Sequence, residues 1–228
     1  MRDNSRVGAV ILAAGSSRRM GELKQLLPLC GSTVLEQTLG NLRAAAVNET
    51  VLVLGSSAEI IRQRIADSLI HGPRVLVNPD YDQGMATSLQ IGLSALDENT
   101  VAALTVLADQ PFIRAETFDQ IIDQYRRSNA EIVIPTYRGF RGNPVLLDRS
   151  LFGEVMALQG DEGCRAIFQN HLSGIIKVEV ADLGVLLDID NKDEYERMRS
   201  FGQTGQEETL FIEATRKARD IPESDVPS

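Results

Sequence analysis

In the first half of the chain, short runs of β-branched and aliphatic residues alternate with segments whose apolar residues recur at helical spacing, and no other feature restricts the fold as strongly. Residues 7–14, 50–54, 74–77 and 101–107 read as strands, the first apolar almost throughout, as in a strand buried on both faces. Residues 33–46, 58–69 and 85–96 read as the helices between them. Such alternation builds a mostly parallel sheet with helices on both faces, so the expected class is α/β, doubly wound and Rossmann-like.

In the second half the directions mix. A helix over 115–127 leads to a strand over 131–135, a glycine-rich turn at 138–142 and a strand over 144–147. Residues 150–171 read as helical with a break at Gly160, and 175–180 and 185–189 as further strands, forming a smaller mixed β region. Beyond Phe201 the periodicity fades into a polar stretch with room for one amphipathic helix. The expected organisation is one domain over 1–200 and a loosely held tail over 201–228. A chain of 228 residues buries enough apolar surface to fold without staples.

Composition removes several classes of function. A formal net charge of -9 argues against a general nucleic-acid binder, whose affinity rests on clustered Lys and Arg. Cys30 and Cys164 lie far apart in no metal-ligand spacing, and His71 and His171 stand in no triad-like context. No apolar run approaches the ~18 residues that a bilayer span needs, so a cytoplasmic protein without a membrane partner is expected.

In so acidic a chain, an anionic ligand requires a local positive patch. The segment Leu12-Ala13-Ala14-Gly15-Ser16-Ser17-Arg18-Arg19-Met20-Gly21-Glu22-Leu23-Lys24 leaves the first strand, where ligands of open α/β sheets bind. Its small residues let the backbone approach a ligand, successive N–H groups there can form an anion nest, and Arg18, Arg19 and Lys24 add fixed positive charge. The glycines match neither the dinucleotide fingerprint nor the Walker loop. An ordinary strand-to-loop turn is the alternative on these residues alone.

The run Leu-Ala-Ala-Gly-x-Ser-x-Arg-Met-Gly-x-x-Lys, from Leu12 to Lys24, resembles the signature of the nucleotidyltransferase superfamily that includes the molybdenum cofactor cytidylyltransferases. That resemblance implies a fold of the nucleotide-diphospho-sugar transferase type. It gives Arg19 and Lys24 triphosphate-binding roles and Gly15 and Ser17 places in the nucleotide loop, with Arg18 on a variable position. The Ala13-Ala14 form of the loop resembles the branch that uses CTP.

Asp109, in Ala108-Asp109-Gln110-Pro111-Phe112, closes an apolar strand at the same sheet edge. A hard oxygen ligand there suits Mg²⁺, which binds through one or two carboxylates plus substrate phosphates and keeps several waters. A turn-capping aspartate is the alternative. A second carboxylate group, Asp188 and Asp190, falls on one face if residues 185–189 form a strand, although Asp190 or Asn191 also suits a helix cap. Resemblance to the cofactor cytidylyltransferases implies Mg²⁺ held by Asp109 and Asp190, with Asp188 behind. Where that family continues Thr-Pro-Glu-Asp, this chain has Asn191-Lys192-Asp193-Glu194.

Three further segments address the acceptor. Asn78-Pro79 followed by Gly84-Met85-Ala86-Thr87-Ser88-Leu89 places small polar residues at a helix start, whose free N–H groups favour an anion or a base edge. Arg141-Gly142-Asn143-Pro144 and Gly160-Asp161-Glu162-Gly163-Cys164-Arg165 each join a flexible backbone to an arginine capable of a bidentate phosphate clamp. Plain caps and turns are the alternatives. In order and type the three segments resemble the Gly-Met-x-x-Ser-Leu, Gly-Asn-Pro and Gly-Asp-x-Gly-x-Arg motifs of the cytidylyltransferase branch, with Ala86 and Thr87 where serines are commoner and Cys164 where alanine is usual. The resemblance implies Asn78, Gly84 and Ser88 on the nucleotide, and Gln110, Pro111, Arg141, Gly142, Asn143, Pro144, Gly160, Asp161, Gly163 and Arg165 on the acceptor. The implied activity is transfer of CMP from CTP to the terminal phosphate of molybdopterin, with a molybdoenzyme as recipient. The alternatives are a sugar-phosphate or polyol-phosphate acceptor, or a non-catalytic cofactor-delivery protein.

Overall fold

The computed structural model describes residues 5–15, 20–199 and 207–219. Its centre is β1 (Arg6–Ala13), whose alternate side chains feed two cores. Val7, Ala9, Ile11 and Ala13 join one apolar cluster and Val10 the other, which is why the run is apolar at nearly every position. β2 (Pro28–Leu29) and β3 (Ser32–Thr33) form a small antiparallel hairpin, after which α1 (Val34–Arg43) starts on a capping box between Thr33 and Glu36. β4 (Glu49–Leu54), α2 (Ala58–Arg64), α3 (Ala66–Leu69), β5 (Arg74–Val77) and α4 (Met85–Ser94) complete the first half. The helix expected over 58–69 divides at Ile65, whose side chain is fully buried.

The chain runs outward from β1 to β4 and β5, then returns to place β6 (Thr100–Leu107) on the other side of β1, all parallel. That reversal is a topological switch point, and it opens a crevice at the carboxyl ends of β1 and β6. α1, α2 and α5 (Ala115–Arg127) cover one face of the sheet, and α4 and α6 (Phe152–Val155) the other. α4 packs so closely that a Cβ on Gly92 would collide with the Val10 side chain.

The mixed β region is continuous with the main sheet. β7 (Ile132–Tyr137), β8 (Phe140–Arg141), β9 (Val145–Asp148) and β10 (Ile175–Glu179) extend it in the order β10-β7-β9-β6-β1-β4-β5, with β8 hydrogen-bonded to β7 alone. β9 is antiparallel to both β6 and β7, and β10 is parallel to β7. The β7–β8 turn has Arg138 at φ 48° and Gly139 at φ 81°, both left-handed as a two-residue hairpin of type I′ requires.

Residues 150–171 are helical on both sides of a break that contains Gly160, as expected, though mostly of 3-10 type: a 3-10 turn (Arg149–Leu151) leads into the single turn of α6, and a 3-10 segment (Cys164–Gly174) follows, kinked at His171. The loop between them is committed elsewhere, since the Gly160 carbonyl accepts from the Ala86 N–H of α4 at 3.0 Å. One expectation is corrected. The strand expected over 185–189 is a 3-10 turn (Leu183–Leu186) followed by a single extended stretch across the sheet's edge. Its alternation survives without a ladder: Leu187 and Ile189 are buried and Asp188 and Asp190 half-buried. α7 (Lys192–Arg199) follows, and the helix anticipated in the tail is α8 (Glu207–Arg219), seated with Leu210 buried. Among the described residues no helix is long and apolar enough to cross a membrane.

Candidate active site

The carboxyl end of β1 is held open by a buried amide. Gln25 is 2% exposed, and its side-chain N–H groups donate to the carbonyls of Ala13 and Gly15, each at 3.1 Å. A planar trans peptide points its N–H opposite its carbonyl, so the N–H of Ala14 is turned away from Gln25. Ala13 and Ala14 are buried, Leu12 is half-buried and Gly15 is exposed. Ser16, Ser17, Arg18 and Arg19 lie outside the described residues. On the far side of the loop, a Cβ on Gly55 would collide with the Ala14 carbonyl and lie 3.0 Å from the Tyr81 ring.

Lys24 opens the 3-10 turn (Lys24–Leu26). Its ammonium donates to Asp109 Oδ2 in a short ion pair and lies 3.5 Å from Asp190 Oδ1. All three side chains are largely shielded, at 18%, 17% and 31% exposure. Burial works against the Lys24 charge, but the two carboxylates outweigh it and hold the ammonium above the ordinary lysine range. Lys24 is therefore a fixed cation at neutral pH.

Three elements place the carboxylates. The Ala108 N–H donates to the Leu12 carbonyl at 3.2 Å, the last rung between β1 and β6, and Asp109 follows at once. From α1, the Thr38 hydroxyl donates to the Ala108 carbonyl at 3.3 Å and Asn41 to the Pro111 carbonyl at 2.9 Å, so this turn is clamped from below. The Ile189 N–H donates to the Asp109 carbonyl at 3.0 Å and carries Asp190 to the same point. Asn191 takes the capping role, accepting from the Glu194 N–H at 2.9 Å, which leaves the Asp190 carboxylate to face Lys24.

The donor set fits a hard divalent cation. Asp109 Oδ1 and Gln110 Oε1 are buried oxygens without a hydrogen-bond partner, and such orphans call for a ligand. Among the described residues no group of three or more His, Cys, Asp or Glu side chains gathers together, so a cation here would rest on this carboxylate pair and on oxygens of its ligand. A pair of carboxylates completed by water and phosphate oxygens is the manner of Mg²⁺.

The further predicted segments touch one another and the stretch that leads to Asp190. A Cβ on Gly84, at φ 111°, would collide with the Gly160 backbone, and one on Gly163 would lie 3.3 Å from the Met85 sulfur. Asn78 and Ser88 are internal: Asn78 is fully buried and donates to Thr87 Oγ1 at 2.8 Å and Ser88 Oγ at 2.9 Å, and its own carbonyl oxygen accepts from the Asp80 N–H. They frame the Gly84 turn. Asn143 donates its N–H to the Val185 carbonyl at 3.0 Å, Gly142 leaves no room for a Cβ against Val185, and Pro144 and Pro111 are buried. The Arg141 guanidinium lies 5.3 Å from the centroid of the Phe168 ring, which links this segment to the one from Gly160 to Arg165. Asp161 and Arg165 are exposed.

Gln25, Thr38, Asn41 and Gly55 carry no motif, and reading for motifs passed over them. A signal for the first two was present: a glutamine before Leu26-Leu27-Pro28-Leu29 and a threonine on the apolar face of α1.

A profile of the MobA-like NTP transferase domain matches residues 9–175. The chain is 26% identical over 193 residues to the molybdenum cofactor cytidylyltransferase of Escherichia coli K12, spanning 84% of this chain and 94% of that protein. It is 28% identical over 200 residues to the nicotine blue oxidoreductase of Paenarthrobacter nicotinovorans, spanning 84% and 96%. The crystal structure of Rv0371c from Mycobacterium tuberculosis superposes with a TM-score of 0.75 at 31% identity, covering 86% of this chain and 98% of that one. A second structure of Rv0371c, in complex with manganese, superposes at 0.69 with 30% identity, covering 86% and 100%. The chain belongs to the MobA-like NTP transferase family and is a nucleotidyltransferase.

Proposed function

We propose that this protein transfers CMP from CTP to the terminal phosphate of molybdopterin, with Mg²⁺, and releases pyrophosphate. The observation that carries the proposal is the meeting of Lys24, Asp109 and Asp190 at the switch point, where Gln25 fixes the carbonyls of Ala13 and Gly15 at the end of β1. The molybdenum cofactor cytidylyltransferase of Escherichia coli, related along nearly its whole length, supports the acceptor. The manganese complex of Rv0371c supports a divalent cation.

In this reading Asp109 and Asp190 would hold Mg²⁺, with Asp188 behind them, and the ion would supply charge neutralisation on the phosphates. Lys24 stabilises the departing pyrophosphate, and Arg19 joins it by the family signature. Arg141, Arg165 and the turn at Gly160, packed on the nucleotide-side turn at Gly84, orient the pterin phosphate so that its oxygen attacks the α-phosphorus in line. Such a transfer needs no protein nucleophile, because positioning and electrostatic stabilisation supply the catalysis. A cofactor that leaves as a dinucleotide needs a recipient, and a molybdoenzyme is the proposed one.

Pyrophosphate release from CTP, GTP and ATP, with Mg²⁺ and purified molybdopterin, tests the proposal in wild type, Asp109→Ala and Lys24→Ala. The expected result is release selective for CTP and lost in both variants. Selective release with GTP would overturn the reading of Ala13-Ala14. Release only with simple sugar or polyol phosphates would overturn the acceptor, and no release with any pair would favour a delivery protein.

A further inference from the structure

The proposed transfer leaves α8 without a task, although the helix is built into the frame of the site. Two adjacent side chains face different ways. Leu210, 3% exposed, enters an apolar cluster with Met20 at the end of the nucleotide loop, Leu187 and Ile189 beside the two aspartates, and Tyr195 of α7. Phe211 meets the β7–β8 hairpin: the rings of Tyr137 and Phe140 stand edge-on to it, both with centroids 5.6 Å away. Arg138, in the hairpin turn, lies over the Phe211 ring at 4.7 Å and donates to Glu208 of α8 at 2.7 Å. Arg197 of α7 pairs with Glu213 at 3.2 Å and anchors α8 from its other side.

We infer that Phe211 is a positioning residue for the acceptor: it braces the β7–β8 hairpin so that Arg141 and the peptide through Pro144 stand in one place. This rests on the acceptor assignment above. β8 has only two ladder pairs, Phe140 and Arg141 opposite Tyr137 and Thr136, extended by one bond from the Gly142 N–H to the Pro135 carbonyl at 2.9 Å, and so short a hairpin depends on packing to fix its orientation. The Phe211 contacts are directional, with two ring edges and a guanidinium set around one ring, so they fix an orientation as well as cover apolar surface. Phe140 precedes Arg141, and Asn143 is already fixed to Val185, so the brace and that hydrogen bond hold both ends of the segment.

The neighbouring positions separate bracing from general support. In steady-state kinetics with CTP and molybdopterin, Phe211→Ala is expected to raise the acceptor KM roughly tenfold, as a small misplacement of a clamp does, while the CTP KM stays within about twofold. Phe211→Tyr is expected to restore the acceptor KM, and Leu210→Ala to raise both constants. Amide hydrogen exchange is expected to quicken at 137–142 in Phe211→Ala and to stay unchanged at 12–15. An unchanged acceptor KM, or an equal rise in both constants for Phe211→Ala, overturns the inference. Inactivity of the wild type with this substrate pair would sink the acceptor assignment, and unchanged exchange at 137–142 would then overturn the brace on its own.

Discussion

Gln25 and Lys24 are neighbours that fix the nucleotide loop in different ways, one through backbone geometry and the other through charge. Replacing Gln25 by Ala leaves two carbonyls without their donor, and an unsatisfied buried polar group costs about 1–3 kcal/mol. The expected outcome is a loss of that size in chemical denaturation together with a raised CTP KM, and a loss of stability with an unchanged KM would remove Gln25 from the site. For Lys24 the balance is between burial, which lowers its pKa, and the Asp109 and Asp190 carboxylates, which raise it. Asp109→Asn removes the stronger carboxylate and leaves burial to act, so the Lys24 pKa should fall. Acylation of Lys24 by an amine-selective reagent, followed by mass spectrometry across pH, should begin at lower pH in that variant; an unshifted profile would show that Asp109 does not hold the charge. At this scale the sequence was informative wherever chemistry demands a special residue, as at Lys24 and Asp109. It was silent about Gln25, Thr38 and Asn41, ordinary polar residues whose task exists only because chain segments far apart in sequence meet.

Among elements, the nucleotide and acceptor segments are joined by close backbone approach more than by side chains. Gly84, at a φ that L side chains avoid, presses on Gly160 where α4 begins. Gly84→Ala should therefore cost roughly 1–3 kcal/mol or more, as strained backbone does, and should raise the acceptor KM; a melting curve like that of the wild type would contradict the packing. Farther along, His171 ties three elements together, with Nε2 2.7 Å from Glu154 of α6 and Nδ1 3.2 Å from Glu131 ahead of β7. Burial disfavours its charge, but the two carboxylates outweigh burial and raise its pKa. The folded pKa therefore lies above the unfolded one, so the stabilisation is complete below the ordinary histidine range and is lost as pH rises through the folded value. The melting temperature of the wild type should decline over that interval relative to His171→Gln, and parallel profiles would refute the bridge. Strand and helix periodicities were legible through α5 because each element there buries a regular face. They failed at 185–189, where the chain folds over the ends of other elements and its backbone bonds leave the local pattern.

At the scale of the whole molecule, two cores flank the sheet and a third lies beyond its carboxyl edge. This third core is assembled from pieces distant in sequence: Met20, the hairpin residues Leu27 and Leu29, Leu187 and Ile189, α7 and Leu210 of α8. None of these pieces announces the others in the sequence, which is why the polar composition past Phe201 reads as a tail while a single leucine within it is core. The match to the family profile ends at residue 175, so Asp190 and α8 both lie beyond it, and α8 packs on the side of the site where Asp190 is held. If α8 were a passive appendage, trimming Leu210 would leave the rest of the protein as it was. If it is part of the folded unit, Leu210→Ala opens a cavity beneath both the nucleotide loop and the second carboxylate and should lower stability by about 2–5 kcal/mol. Urea unfolding followed at two sites, one probe in the β1 region and one in α7, decides between them. A common transition shifted to lower urea shows one cooperative unit, whereas an unshifted β1 transition shows that the sheet folds without regard to α8. The first result would mean that the edge carrying Asp190 is only as stable as the packing of α8 upon it.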